Sequence, residues 1–274
     1  MLSAERLVTV LIPLYGSAAT LRPTLESLRA AQRPARFATL LIDDGSEPPI
    51  APQLAPQAER YASLGLRIER LPRNQGIVAA LNRGLALARA MGADYVARLD
   101  AGDTVAPERF ERQLRLLEAQ PDLGVVGSDL DFVDEAGRPL FRFNGPRSDA
   151  ETRRRMHVNT CLPHTSVMLR LSALDGEYSY DYPAAEDYEL FWRILRRSRG
   201  LCVAEPLTTT VATAGGISRA RRRSQLRSRL RLQWKHFDPA RPESYLGIAM
   251  TLLFFLVPAG MVTALKNAVG TSRY

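Results

Sequence analysis

Cysteine and histidine are scarce in this chain, which has two cysteines and three histidines among 274 residues. Cys161 and Cys202 both lie among apolar neighbours, so the sequence gives no disulfide framework and no spacing typical of a zinc site. We expect both to be buried free thiols. With 46% hydrophobic and 24% charged residues, the composition is that of a globular protein and excludes a disordered one.

The N-terminus lacks the long apolar core of a secretory signal, because Glu5 and Arg6 precede a short run that ends at Pro13. That run is typical of a first β-strand. Since the sequence also has no disulfide framework, we expect the globular part of the protein to stay in the cytoplasm.

Acidic residues are absent from 219–235, which holds seven arginines and one lysine within a chain of net charge +8. Such a block binds nucleic acid, anionic lipid or only solvent. Few aromatic residues are interleaved with it, which argues against nucleic acid.

The residues after this block favour a membrane. Positions 244–265 carry no charge over 22 residues, which is long enough to cross a bilayer at about 1.5 Å per residue. Trp234 and the basic block precede this segment, an arrangement that favours anionic lipid on the cytoplasmic side. We therefore expect anchoring at the cytoplasmic face of the plasma (inner) membrane, with 244–265 either spanning the bilayer or lying in its interface. Packing on the globular domain or in a dimer is the remaining alternative.

Strand and helix periods alternate through the first half of the chain. Apolar runs predict five strands, at 7–14, 37–42, 66–71, 95–99 and 123–127. Helical patterns lie between them, including a weak one at 53–61, a strong one at 77–91 and another after Pro107. This rhythm predicts a Rossmann-like α/β fold with a mostly parallel sheet flanked by helices. In the second half we expect a turn at 134–137 between short strands, a strand at 166–170, and helices at 153–158 and 187–197.

Two acidic turns follow predicted strands, namely Asp43-Asp44-Gly45-Ser46 and Asp100-Ala101-Gly102-Asp103. Each alone is typical of a surface turn. Together they place several carboxylates where parallel sheets bind ligands, at the carboxyl ends of the strands. Carboxylates so close repel each other unless a cation joins them, and oxygen ligands suit Mg²⁺ or Mn²⁺. A metal held this way stabilises a departing diphosphate, as in sugar or nucleotidyl transfer.

An ordered set of motifs resembles the family 2 glycosyltransferases of the GT-A fold. It covers about two-thirds of the chain and includes Val8-Thr9-Val10-Leu11-Ile12-Pro13-Leu14-Tyr15, Leu41-Ile42-Asp43-Asp44-Gly45-Ser46, Asn74-Gln75-Gly76, Ala97-Arg98-Leu99-Asp100-Ala101-Gly102-Asp103, Pro107 with Arg109 and Gln113, Pro163-His164-Thr165-Ser166-Val167-Met168, and Ala185-Glu186-Asp187-Tyr188-Glu189-Leu190.

The resemblance implies a nucleotide-sugar donor and roles for particular residues. Pro13 and Tyr15 would border the nucleotide base, and either Asp43 or Asp44 would hydrogen-bond it. Asn74 would join this donor-binding set. Asp100 would lie near the ribose or the metal, and Asp103 would bind the metal. Two departures from the family pattern are Gly16, where asparagine is usual, and Gly102, which removes a carboxylate from the metal loop.

Asp187 would be the general base that deprotonates the acceptor hydroxyl. The alternative interpretation is that Asp187 has no catalytic role and is a helix-terminal charge favoured by the macrodipole. One base and one stabilised leaving group suffice for a single displacement, so we expect an inverting glycosyltransferase of hexosyltransferase type. His164 is expected to pack or to contact the acceptor rather than act as a base.

Two other functions compete with glycosyl transfer. A nucleotidyltransferase usually has a Gly-rich loop with Lys or Arg after the first strand, whereas this loop reads Gly16-Ser17-Ala18-Ala19. A non-catalytic nucleotide-sugar-binding module would explain Gly16 and Gly102.

We predict a GT-A domain at 1–215, a basic amphipathic linker helix at 216–243, the membrane segment at 244–265 and a tail at 266–274. The expected acceptor is a glycan or a lipid-linked molecule, in surface polysaccharide or lipid-linked glycan synthesis.

Overall fold

The alternating pattern of the first hundred residues folds into adjacent parallel strands. The computed structural model describes residues 6–34, 36–212 and 222–257. Their strands form one sheet in the order β3-β2-β1-β4-β8-β6-β9-β5, with β7 paired to β6. The strands are β1 (Leu7–Leu14), β2 (Arg36–Asp43), β3 (Leu66–Arg70), β4 (Tyr95–Arg98), β5 (Thr104–Val105), β6 (Leu123–Val133), β7 (Pro139–Phe143), β8 (Met168–Arg170) and β9 (Arg199–Val211).

Helices cover both faces of this sheet. They are α1 (Leu21–Ala30), α2 (Ile50–Leu54), α3 (Ile77–Ala90), α4 (Arg109–Ala119), α5 (Asp149–Met156), α6 (Glu186–Leu195), α7 (Arg222–Lys235) and α8 (Pro242–Leu256). Side chains of β1 alternate between the faces. Val8, Val10 and Ile12 join α1 and α4 in one hydrophobic core, while Leu11 joins α3 and α6 in the other.

The first half of the sheet confirms the parallel prediction, since β3, β2, β1 and β4 are parallel neighbours. The second half corrects it, and the sheet as a whole is mixed. Strand β8 is antiparallel to both β4 and β6. Strands β6 and β7 form the predicted hairpin, and antiparallel neighbours need no crossover helix.

The prediction of a weak α-helix at 53–61 was wrong, because most of this range forms 3₁₀ turns. The structure has α2, followed by 3₁₀ turns at Ala55–Gln57 and Glu59–Leu64. Pro56 lacks a backbone N–H and therefore interrupts the α-helical hydrogen-bond series. The predicted fifth strand at 123–127 extends to Val133, because β9 pairs along its whole length.

The C-terminal helices pack on the domain. Ser228 of α7 donates to the Pro183 carbonyl at 2.9 Å, and Gln233 Nε2 donates to the Val158 carbonyl at 2.7 Å. Of the predicted membrane segment, residues 244–256 lie in α8, and 258–265 lie outside the described residues. Within the part of the chain that is described, no helix has both the length and the apolar character needed to cross a bilayer.

Candidate active site

The turn after β2 ties together the loops that follow the first three strands. The Asp44 N–H donates to the Leu14 carbonyl at 2.8 Å, and the Gly16 N–H donates to Ser46 Oγ at 3.0 Å. Gly45 has φ +72°, and a Cβ there would lie 2.4 Å from the Arg73 carbonyl carbon. Only glycine suits both that backbone angle and that close approach.

Both carboxylates of this turn bind backbone N–H groups. Asp43 is fully buried and accepts from Ser46 and Ile50, at 2.8 and 3.1 Å. Asp44 accepts from Gln75 and Gly76, at 2.8 Å each. The two aspartates therefore fix the loops on which a nucleotide base would rest, and base contact by either one stays a prediction.

The other predicted donor-binding residues lie around this turn. Pro13 is buried in β1, whereas Tyr15 is 62% exposed just beyond the strand. Asn74 is exposed, and its Oδ1 accepts from the Gly76 N–H at 3.1 Å. An exposed aromatic ring beside a fixed turn is available for stacking on a base.

A buried arginine ends β4. Arg98 is 2% exposed, and its Nη2 lies 2.5 Å from Asp100 Oδ1, while Nη1 donates to the Leu99 carbonyl. Partial burial opposes ionisation of Asp100, but the Arg98 guanidinium outweighs it and holds the pKa of Asp100 below its ordinary value. Asp100 is therefore a fixed carboxylate at neutral pH.

Asp103 lies deeper and is bridged to Asp100 by a threonine. The Thr165 hydroxyl accepts from the Asp100 N–H at 3.0 Å and donates to Asp103 Oδ2 at 2.6 Å. Asp103 is 6% exposed. Burial, and then the charge of Asp100, raise the pKa of Asp103 to about 7. Gly102 between them has φ +100°, and a Cβ there would lie in ordinary contact with the Thr20 carbonyl oxygen, at 3.9 Å.

Two buried residues of α4 support this turn from behind. Arg109 Nη2 donates to the Arg98 carbonyl at 2.7 Å. Gln113 Nε2 donates to the Val126 and Ser166 carbonyls, at 2.9 and 2.7 Å. Burial lowers the pKa of Arg109 to about 9. Both residues belong to the quoted motifs, and their contacts position backbone rather than substrate.

His164 faces the second half of the domain. Its Nε2 lies 2.9 Å from the Tyr178 hydroxyl, and the Tyr178 backbone is held by Asn82 through hydrogen bonds of 2.8 and 3.0 Å. Burial, and then the Arg98 charge, lower the pKa of His164 to about 3. The imidazole is therefore neutral at physiological pH, which agrees with a packing role.

Asp187 lies in the first turn of α6. Its Oδ1 accepts from the Tyr188 N–H at 2.8 Å. Burial, and then the charge of Glu186, raise the pKa of Asp187 to about 7. Ala184, two residues before this helix begins, has φ +60°, a left-handed conformation that costs a non-glycine residue about 1–2 kcal/mol. Strain of this kind persists where the surrounding structure fixes the chain.

The positive charge of Arg98 reaches all three predicted acids, Asp100, Asp103 and Asp187. The Arg98 guanidinium thus contributes to the electrostatic environment of both the predicted metal loop and the predicted base. Among the residues described, no group of three or more histidine, cysteine or acidic side chains is arranged as a metal site. Asp100 and Asp103 together fit a hard cation that takes its other ligands from water and phosphate.

The comparisons with known proteins identify the family of this chain. Residues 9–176 match the profile of Glycosyl transferase family 2, which is more than half of the chain. The chain belongs to glycosyltransferase family 2. It is therefore a glycosyltransferase, and the nucleotidyltransferase alternative is set aside.

Three similar proteins illustrate the relationship. The amylovoran biosynthesis glycosyltransferase AmsE of Erwinia amylovora is 31% identical over 191 residues, covering 68% of this chain and 69% of that protein. The structure of S. aureus TarS 1–349 in complex with UDP has a TM-score of 0.67 at 16% identity, over 95% of this chain and 75% of that one. The structure of the mannosyltransferase PcManGT from Pyrobaculum calidifontis, in complex with GDP-Man and Mn²⁺, has a TM-score of 0.64 at 16% identity. The match covers 99% of this chain and 79% of that one. These two structures share the fold of this glycosyltransferase.

Sequence reasoning did not assign functional roles to Arg98 or Thr165, although both lie inside quoted motifs. Arginine two positions before Asp100 is a detectable signal, because a cation so close to acidic ligands sets their charge. Thr165 has no such signal, since its partners are 62 and 65 positions away.

Proposed function

We propose that this glycosyltransferase transfers a hexose from a nucleoside diphosphate sugar to an acceptor hydroxyl by a single displacement, with inversion at the anomeric carbon. The observation that carries the proposal is the environment of Asp187. A carboxyl whose pKa is raised to about 7 by burial and by Glu186 is matched to removing a proton from a hydroxyl near neutral pH. Its fixed position at the start of α6 suits a base that serves one acceptor oxygen.

The opposite side of the site supports binding of the donor. Tyr15, exposed beside the ordered turn after β2, offers a stacking face for the base. Asp43, Asp44 and Asn74 fix that turn and the neighbouring loop. The two structures of similar fold named above were solved with UDP and with GDP-Man, so UDP and GDP sugars are the first donors to test.

Asp100 and Asp103 would hold a divalent ion, Mg²⁺ or Mn²⁺. When bound, the ion supplies charge stabilisation for the diphosphate leaving group. Thr165 orients the buried carboxylate of Asp103, and Arg98 keeps Asp100 ionised and fixed. These contacts preorganise the pair, which reduces the reorganisation needed when the donor binds.

The biological setting we propose is synthesis of a surface polysaccharide or a lipid-linked glycan. The named function of AmsE in amylovoran biosynthesis supports this setting. We also propose that the enzyme works at the cytoplasmic face of the plasma membrane, and the surface that would hold it there is argued below.

The test is Asp187→Asn in the full-length protein, assayed against a panel of UDP and GDP sugars. Asparagine keeps the shape but cannot accept the proton, so we expect turnover to fall about 10²–10⁴-fold with donor affinity unchanged. Asp181→Asn, at an exposed aspartate of the preceding loop, is the matched control and should keep full activity. Near wild-type turnover in Asp187→Asn, or a product that retains the donor's anomeric configuration by NMR, contradicts the mechanism.

A further inference from the structure

The C-terminal helix α8 faces the domain with small residues. Its buried positions are Ser244, Gly247 and Thr251. A Cβ at Gly247 would lie 2.2 Å from the His157 carbonyl oxygen, and Ser244 Oγ lies 3.0 Å from His157 Nδ1. The helix therefore approaches the domain closely through a face that buries little apolar surface.

The large apolar residues of α8 point the other way. Five of them are between 50% and 82% exposed, namely Tyr245, Leu246, Leu252, Leu253 and Leu256. This is the reverse of a soluble amphipathic helix, in which the large apolar residues face the core. A contiguous exposed apolar surface of this kind marks an interaction site.

A row of positive charge runs along the neighbouring helix α7. Arg223, Arg227, Arg231 and Lys235 are all exposed and follow each other at intervals of four residues, so they share one face of the helix. None of the four forms an ion pair with a carboxylate that the structure describes. Like charges at this spacing destabilise a helix, and an anionic surface would relieve their repulsion.

An apolar groove of about 480 Å³ lies between the two helices. Tyr182, Trp234 and Leu252 are among its lining residues, together with the cations Arg231 and Lys235. Trp234 is 71% exposed. An exposed tryptophan between apolar and basic side chains is typical of residues at a membrane–water boundary.

We infer that this α7–α8 surface, formed by the cationic row of α7 and the exposed apolar face of α8, docks onto an anionic phospholipid bilayer. Charge complementarity favours an anionic bilayer, rather than a second copy of the chain, as the binding partner of this surface. A symmetric dimer through the same face would bring two cationic rows together, whereas an anionic lipid surface pairs with one row.

The position of this surface also indicates which class of acceptor the enzyme uses, an inference that rests on the proposed function. Tyr182 packs under Arg231 and Lys235, with the cations 5.0 and 5.6 Å from its ring centre. The chain then reaches Asp187 five residues later. A bilayer bound to the α7–α8 surface lies beside the segment that carries the base, which suits an acceptor hydroxyl held on a membrane lipid.

The experiment measures partition of the full-length protein onto phosphatidylcholine vesicles, with and without 30% phosphatidylglycerol. We expect binding to the mixed vesicles that weakens in high salt. Arg227→Gln with Lys235→Gln should reduce that partition about 25-fold, since each cation near an anionic surface contributes roughly fivefold. Leu256→Glu should reduce it at least tenfold.

Leu140→Glu is the matched control, because Leu140 is 48% exposed on β7 and lies far from these helices in sequence. It should bind vesicles like the wild type. Equal partition of the wild type onto neutral and anionic vesicles, or no partition at all, overturns the inference. So does sedimentation in which Leu256→Glu converts a dimer to a monomer while vesicle binding is unchanged. Asp187→Asn should still bind vesicles, so failure of the catalytic proposal is seen separately.

Discussion

Replacing Glu186 by glutamine removes a negative charge next to the proposed base. Burial is the larger cause of the raised pKa of Asp187, and the charge of Glu186 comes next. Two like charges on neighbouring side chains repel each other by roughly 2 kcal/mol at an effective dielectric constant of about 20. Because both groups are only partly buried, screening reduces this to about 1 kcal/mol, or just under one pKa unit.

The assay is the pH profile of kcat/KM. In the wild type, activity should fall as the pH drops below about 7, because Asp187 must be ionised to accept the proton. In Glu186→Gln this acid limb should move to lower pH by just under one unit, while burial keeps it above the ordinary range of an aspartate. Glu135→Gln, at an exposed turn, should leave the profile unchanged. An acid limb that does not move, or that moves to higher pH, refutes the reasoning.

The same pKa has a consequence for stability. The folded protein keeps a proton on Asp187 up to about pH 7, whereas an unfolded aspartate loses it near pH 4. The folded state therefore binds more protons in this window, and the free energy of unfolding falls as the pH rises through it. In urea unfolding, the free energy of unfolding of Asp187→Asn minus that of the wild type should be larger at pH 8 than at pH 4.5. If this difference is the same at both pH values, the assigned pKa is wrong.

Two further predictions concern the donor side of the site. Asp103→Ala should abolish Mn²⁺-dependent binding of UDP or GDP in calorimetry, whereas Asp122→Ala at an exposed ion pair should not; unchanged metal dependence in Asp103→Ala would remove the metal site. Gly45→Ala should destabilise the fold by about 2–5 kcal/mol, from the left-handed backbone and the clash with Arg73. Gly137→Ala, with φ +77° but no atom within 4 Å, should cost only about 1–2 kcal/mol in the same urea unfolding, and equal losses would reject the close-approach argument.

Local patterns were sufficient to predict the first half of the fold. Strand β1 was predicted with its observed bounds, and α3 to within one residue. Each of these elements buries a regular face against a neighbour close in sequence, so its period appears in the sequence itself. The acidic turns after β2 and β4 were placed correctly for the same reason, since both directly follow such strands.

The antiparallel insertion of β8 between β4 and β6 was not predictable in this way. Its partners lie more than 40 positions away in sequence, and three residues carry too little period to show their direction. The extension of β6 to Val133 likewise depends on β9, which begins 66 residues later.

The sequence by itself determined which acids are candidates for chemistry, because the motifs name Asp100, Asp103 and Asp187. Only the tertiary structure decided their charge states. Burial and the neighbouring charges of Arg98 and Glu186 set those pKa values. The orientation of α8 was decided in the same way. A charge-free run specifies that apolar side chains are present, but the packing of small residues against His157 leaves the large ones facing outward. Charge state and exposure both depend on what surrounds a group in space, which sequence neighbours do not define.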